Sequence, residues 1–221
     1  MKLTSCVTLA VALIAVPLSQ PAAGAEQDLS VNARLLLAAR NGDSPALDRA
    51  LKSGADANSR NRLGETALVI ALKKNDLAMA QTMLDAGTDV NQAAVNGVTP
   101  LMAAAFGGHT TMVVALLAKG ADVAPRDRLK KTAMTYAAGE GRTEIVQLLL
   151  AQGVDANARY ENDLTALMWA AGFGRTATVK ALLDAGARPE MQDNRGKTAQ
   201  AIARDNQHAE TAALLERAGR G

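Results

Sequence analysis

The chain has 221 residues, of which 48% are hydrophobic, 2% aromatic and 21% charged, with a formal net charge of +2. A balance so close to neutral excludes a general polyanion binder, so any basic patch has to be local. Cys6 is the only cysteine, which excludes a disulfide framework and any cysteine metal site.

At the start of the chain, residues 1–25 predict a secretory signal peptide. Lys2 supplies the positive start, and Val7 to Val16 form an apolar stretch broken only by Thr8. Ala23-Gly24-Ala25 is a small-x-small cleavage site before Glu26. The apolar stretch is too short to span a bilayer, and Pro17 and polar residues follow it. Cys6 precedes that stretch, which is the wrong order for lipid attachment. Cleavage would leave 196 residues without a thiol, carrying 23 basic groups (Lys2 lost from 24) against 22 acidic ones. A thiol-free mature chain suits an oxidising compartment.

Beyond Ala25 the sequence follows a ruler of 33 residues. Thr66, Thr99, Thr132, Thr165 and Thr198 lie on it. So do Gly54, Gly87, Gly120, Gly153, Gly186 and Gly219, and Ala38, Ala71, Ala104, Ala137, Ala170 and Ala203. Registers that hold without a slip are the mark of a repeat architecture. Each repeat opens with a polar turn such as Ala94-Val95-Asn96-Gly97. Thr then starts an apolar first helix, as in Thr99-Pro100-Leu101-Met102-Ala103-Ala104-Ala105, with Pro100 in the first turn where a helix tolerates it. Gly107-Gly108 stops that helix. Thr110, Thr143 and Thr176 are the expected N-caps of second helices. The ruler Gly ends each second helix without Cβ strain, and the ruler Ala permits close helix packing.

Thr99-Pro100-Leu101, Ala103-Ala104, Gly108-His109, Leu116-Leu117 and Gly120-Ala121-Asp122-Val123 resemble the ankyrin repeat. Leu167-Met168-Trp169-Ala170-Ala171 and Leu182-Leu183-Asp184-Ala185-Gly186-Ala187 repeat the pattern, and the likeness covers roughly residues 28 to 219. The resemblance implies an all-α repeat solenoid whose helix pairs carry β-hairpin or loop fingers. Residues 26–221 would form one domain: an N-terminal capping repeat at 28–60, repeats at 61–93, 94–126, 127–159 and 160–192, and a C-terminal cap at 193–221. Six units of about a helix diameter each would make a stack on the order of 60 Å long. The end units are the more polar, as solubility of a solenoid requires.

The family's His after Thr-Pro-Leu, which ties neighbouring fingers together, is absent. Val69, Met102, Thr135, Met168 and Ala201 stand there, so packing has to substitute, and the Met residues read as core filler. His109 and His208 share one slot three repeats apart, roughly 30 Å at about 10 Å per repeat, too far to share a metal or a proton. Asp76, Arg142 and Arg175 fill that slot elsewhere. No nucleophile–base–orienter set and no phosphate loop emerges, so the expectation is a non-enzyme without cofactor or metal.

Tyr136 and Trp169 share a slot with Ile70, Ala103 and Ile202 and are expected to face the core. Phe106 and Phe173, at the end of the first helix, are candidate anchors of a concave groove. Arg126-Asp127-Arg128-Leu129-Lys130-Lys131 is the densest basic run and falls on a finger. Lys130 replaces the turn glycine kept at Gly64, Gly97 and Gly196; Asp163 also replaces it. A lysine there should strain the turn or change its type. Arg60, Arg62, Arg159, Arg195 and Lys197 extend a basic rim that reads either as a solvated edge or as a dock for an acidic partner. Nucleic acid is disfavoured, because no aromatic stacking ladder accompanies the charge.

The resulting expectation is an exported, monomeric protein-binding module, periplasmic in a Gram-negative bacterium. Basic fingers would steer a partner, and Leu63, Phe106, Leu129, Tyr160 and Phe173 would supply contact energy. A secreted effector engaging a host protein is the alternative; a small-molecule binder or enzyme would need a deep polar pocket.

Overall fold

A computed structural model describes residues 29–219. The expected signal segment, Cys6 included, lies outside the described residues. Among the described residues, twelve α-helices form six consecutive pairs: α1 (Val31–Asn41) and α2 (Ser44–Lys52), α3 (Ala67–Lys73) and α4 (Leu77–Asp85), α5 (Pro100–Gly107) and α6 (Thr110–Ala118). The series continues with α7 (Ala133–Glu140) and α8 (Thr143–Ala151), α9 (Ala166–Gly172) and α10 (Thr176–Asp184), α11 (Ala199–Asp205) and α12 (Ala209–Ala218). The first helices pack in series, α1 on α3 and so on to α11, while α4, α6, α8, α10 and α12 form a second row. The result is the all-α solenoid.

Threonine starts the first helices as the ruler predicts. In α3, α5, α7, α9 and α11 the hydroxyl of the preceding Thr accepts from the amide three residues on, worth about 1 kcal/mol per helix. The second helices differ from expectation. Thr110, Thr143 and Thr176 are the first helical residues, and the cap positions belong to His109, Arg142 and Arg175, none of which caps with its side chain. The threonine hydroxyls instead reach the next repeat, Thr143 to Thr178 and Thr176 to Thr211, both at 2.8 Å.

The core repeats with the ruler. Leu35, Leu68, Leu101, Met134 and Leu167 line one layer between first helices, all at most 1% exposed, and each contributes about 1.5–3 kcal/mol by burial. Met83, Leu116, Leu149, Leu182 and Leu215 form the equivalent layer of the second helices. The ruler alanines are buried, so helix backbones approach closely. In the slot of the missing histidine, the Thr135 hydroxyl and the Met168 sulfur each accept from the amide of their own cap threonine.

Between helix pairs the chain makes a tight loop closed by a bond from its first amide to its fifth carbonyl, as in Asn61 to Glu65, Asp127 to Lys131 and Asp193 to Lys197. Expected hairpins are not formed: among the described residues the only bridge is Gln192 with Thr198. An Asx side chain holds each of these three loops, with Asn61, Asp127 and Asp193 accepting two backbone amides apiece. Lys130 keeps the left-handed conformation of the glycine it replaces, at φ 58°. Its loop is therefore strained but not remodelled. Asp163, at φ 59°, is joined there by Asn162, and Glu161–Asp163 tightens into a single 3₁₀ turn.

Candidate functional site

Residues of the first helices and of the loop before α5 line a cleft of about 510 Å³, among them Val98, Met102, Phe106, His109 and Tyr136. A row of aromatic groups continues from it across α5, α7 and α9. Phe106 meets Tyr136 edge-on at 5.8 Å, and Trp169 stacks on Phe173 at 6.2 Å. Lys131 joins the two pairs, its ammonium 5.2 Å from the Tyr136 ring and 5.0 Å from that of Trp169. Phe106 and Phe173 are each 52% exposed, as anchor residues need to be. Tyr136 and Trp169 pack against the core as expected, but both are only half-buried.

The Tyr136 hydroxyl donates to Asp127 at 2.6 Å. Burial and this acidic neighbour push the phenol well above its ordinary range. Asp127 thereby ties the loop to the groove floor.

The basic loop residues divide by what they touch. Arg62, Arg128 and Lys130 are exposed and make no side-chain hydrogen bond or ion pair among the described residues, and Leu63 and Leu129 beside them are 64% and 67% exposed. These five form the free fingertips. Arg60, Arg126 and Arg159 instead bind the backbone of the next loop: they donate to the carbonyls of Ala93 (2.7 Å), Arg159 (3.4 Å) and Gln192 (3.0 Å). Each rung spans 33 residues, and together they do the finger-tying work of the missing histidine. The register row Arg60, Ala93, Arg126, Arg159, Gln192 carried that signal. Arg195 is neutralised by buried Asp193 at 2.7 Å. Burial pushes the Asp193 carboxyl up, but bonds from Lys197 and Arg195 outweigh it and hold the group low.

Tyr160 is a correction. Only 9% exposed, it sits in the core rather than at the rim, because it occupies the inward-pointing slot held by Asn61, Asp127 and Asp193 in other loops. Arg126 lies over its ring at 5.8 Å.

The two histidines have a structural task that sequence reasoning left unspecified. His109 Nε2 donates to the Leu72 carbonyl at 3.0 Å, and His208 Nε2 to that of Gly172 at 3.1 Å. A carbonyl can only accept, so Nε2 carries the proton. Arg175 does the same toward Gly139 at 2.9 Å. Each closes the end of the preceding first helix. Among the described residues no group of three His, Cys, Asp or Glu side chains is placed to hold a metal, and no helix is long and apolar enough to cross a membrane.

The family model for ankyrin repeats (3 copies) matches residues 35–127 and 134–219. No curated protein matches the chain. Ankyrin repeats are generally non-catalytic protein–protein interaction modules, and with its helix pairs, capping threonines and left-handed turn glycines the chain belongs to the ankyrin-repeat family.

Proposed function

We propose that this protein is a non-catalytic adaptor of the bacterial cell envelope that binds a partner protein in the groove and on the fingertips. The observation that carries the reading is the row Phe106, Tyr136, Lys131, Trp169 and Phe173. It exposes aromatic surface that a solvated scaffold has no reason to keep. Arg62, Arg128 and Lys130 extend the same face and favour an acidic partner, raising its rate of encounter more than its final affinity. Placement outside the cytoplasm rests on the signal-like segment before Glu26 and on the lack of cysteine after Cys6. A preformed groove avoids the ordering entropy that a flexible binder loses.

The test is recovery of partners by the tagged chain from its own envelope extract, beside a variant with Arg62, Arg128 and Lys130 changed to Ser. A protein retained by the wild type and lost with the variant supports the reading. Equal recovery confines the contact to the groove. Recovery only from culture medium would favour the secreted-effector alternative.

A further inference from the structure

In the two outer loops the residue at the base pairs with the one eight positions later, near the end of the first helix: Glu65 with Lys73 at 2.6 Å, and Lys197 with Asp205 at 2.5 Å. Between them stand Val98 with Phe106, Lys131 with Gly139, and Leu164 with Gly172. Lys131 therefore stands in the register position of Lys197, but has Gly139 where Lys197 has Asp205. Among the described residues it forms no ion pair, and its ammonium rests on Tyr136 and Trp169. The nearby carboxylate of Asp127 is already taken by the Tyr136 hydroxyl and by the loop amides of Leu129 and Lys131. The shielded indole N–H of Trp169 also lacks an acceptor among the described residues. Both polar groups at the centre of this apolar floor are thus donors without an acceptor.

We infer that Lys131 is a carboxylate subsite: the partner supplies an Asp or Glu side chain that completes the vacant ion pair, flanked by apolar side chains that lie on Phe106 and Phe173. The inference rests on the binding reading above and names the chemistry recognised at its centre. Complementarity argues for this occupant. A cationic ligand for the rings would meet the ammonium already there, and a purely apolar segment would desolvate that ammonium without compensation. A carboxylate pairs with it in a setting where aromatic rings exclude water, which strengthens the attraction.

Gly139 supplies the decisive variant. A Cβ there would meet the Phe173 ring at 3.6 Å, ordinary contact, and its φ is not left-handed. Gly139→Asp therefore installs internally the carboxylate that Lys197 already has in Asp205, while Gly139→Ala adds bulk alone. Random dodecapeptides displayed on phage serve as the probe against the purified chain.

Wild-type selection should enrich Asp or Glu beside apolar residues, and selection against Lys131→Glu should exchange them for Lys or Arg. A synthetic peptide of the wild-type consensus should bind the Ala variant as it binds wild type and the Asp variant about tenfold more weakly. Thermal unfolding of each variant separates lost binding from lost fold, and Lys131→Glu carries the test if the Asp variant does not fold. No enrichment, a consensus without a carboxylate, or one indifferent to Lys131→Glu overturns the inference. If the selected peptides depend on Arg128 and Lys130 instead, the binding reading stands and this subsite falls.

Discussion

Arg60 and Ala93 lie one repeat apart, and the guanidinium of Arg60 donates to the Ala93 carbonyl at 2.7 Å while also holding Gly64 at 2.9 Å in its own loop. That side chain stitches two loops with the charge expected to greet a partner. Arg60→Met keeps the aliphatic stem and removes both bonds. It should lower the unfolding free energy by about 1 kcal/mol, since the site is exposed and charged hydrogen bonds there contribute toward the low end of their range. Urea denaturation checks this; an unchanged midpoint would return Arg60 to the free rim.

Lys130 occupies a left-handed turn that glycine fills in three of the other loops. Lys130→Gly should stabilise the protein by about 0.5–1 kcal/mol, the relief of left-handed strain less the greater entropy of glycine when unfolded. Lys130→Ala should not, because alanine keeps the strain. Thermal unfolding of the two variants distinguishes strain from charge.

One junction in the loop layer is less tied than the others. Asn58, Asn91 and Asn157 each accept the amide one repeat on, from Asp89, Asp122 and Arg188. Ala124 cannot, and the Asp155 amide has no acceptor among the described residues. The backbone links from Val95 to Leu63, Arg128 to Asn96 and Asn194 to Asn162 likewise have no counterpart between Glu161 and Leu129. Hydrogen exchange should therefore be faster at Asp155 and Glu161 than at Asp89, Asp122 and Arg188. Ala124→Asn should slow Asp155 and add about 1 kcal/mol of stability.

Glu65 gives a pH signature. Burial pushes its carboxyl up, but bonds from Lys73 and Asn61, with the charge of Lys73, outweigh that and hold it below the ordinary value of 4.5. A carboxyl lowered in the folded state contributes stability that is full above its unfolded pKa and lost as pH falls through the folded one. Glu65→Gln should flatten the decline in unfolding free energy below about pH 4.5 and leave behaviour at neutral pH less stable by a constant amount. A parallel decline in both proteins would contradict the assignment.

The ruler made the solenoid legible because repetition forces the same side chain into the same environment. Thr66 and its successors cap, and Ala71 and its successors sit between helices, wherever they recur. What stayed hidden depends on neighbours rather than on slot. Arg60, Arg126 and Arg159 look like rim charges until the carbonyl one repeat on is placed beside them. Arg195 looks the same until Asp193 is seen beneath it. Tyr160 misled because it stands at the loop position where Asn61, Asp127 and Asp193 turn an Asx side chain inward, and an aromatic in that slot goes to the core. Tyr136 and Trp169 do pack on the core, but their slot alone did not say that part of each ring stays exposed. The unpaired state of Lys131 was visible only as a comparison with Lys73 and Asp205, each at the same spacing of eight residues.

Site-specific photo-crosslinking tests most directly whether the groove is the partner-binding face. A photoreactive phenylalanine would replace Phe106 or Phe173 in the groove, or Val114, which is 48% exposed on α6 away from the cleft. In cells making the full chain, the account predicts one covalent adduct of the same mass from both groove positions and none from Val114. An adduct from Val114 with none from Phe106 and Phe173 would place recognition on the second helices and contradict it.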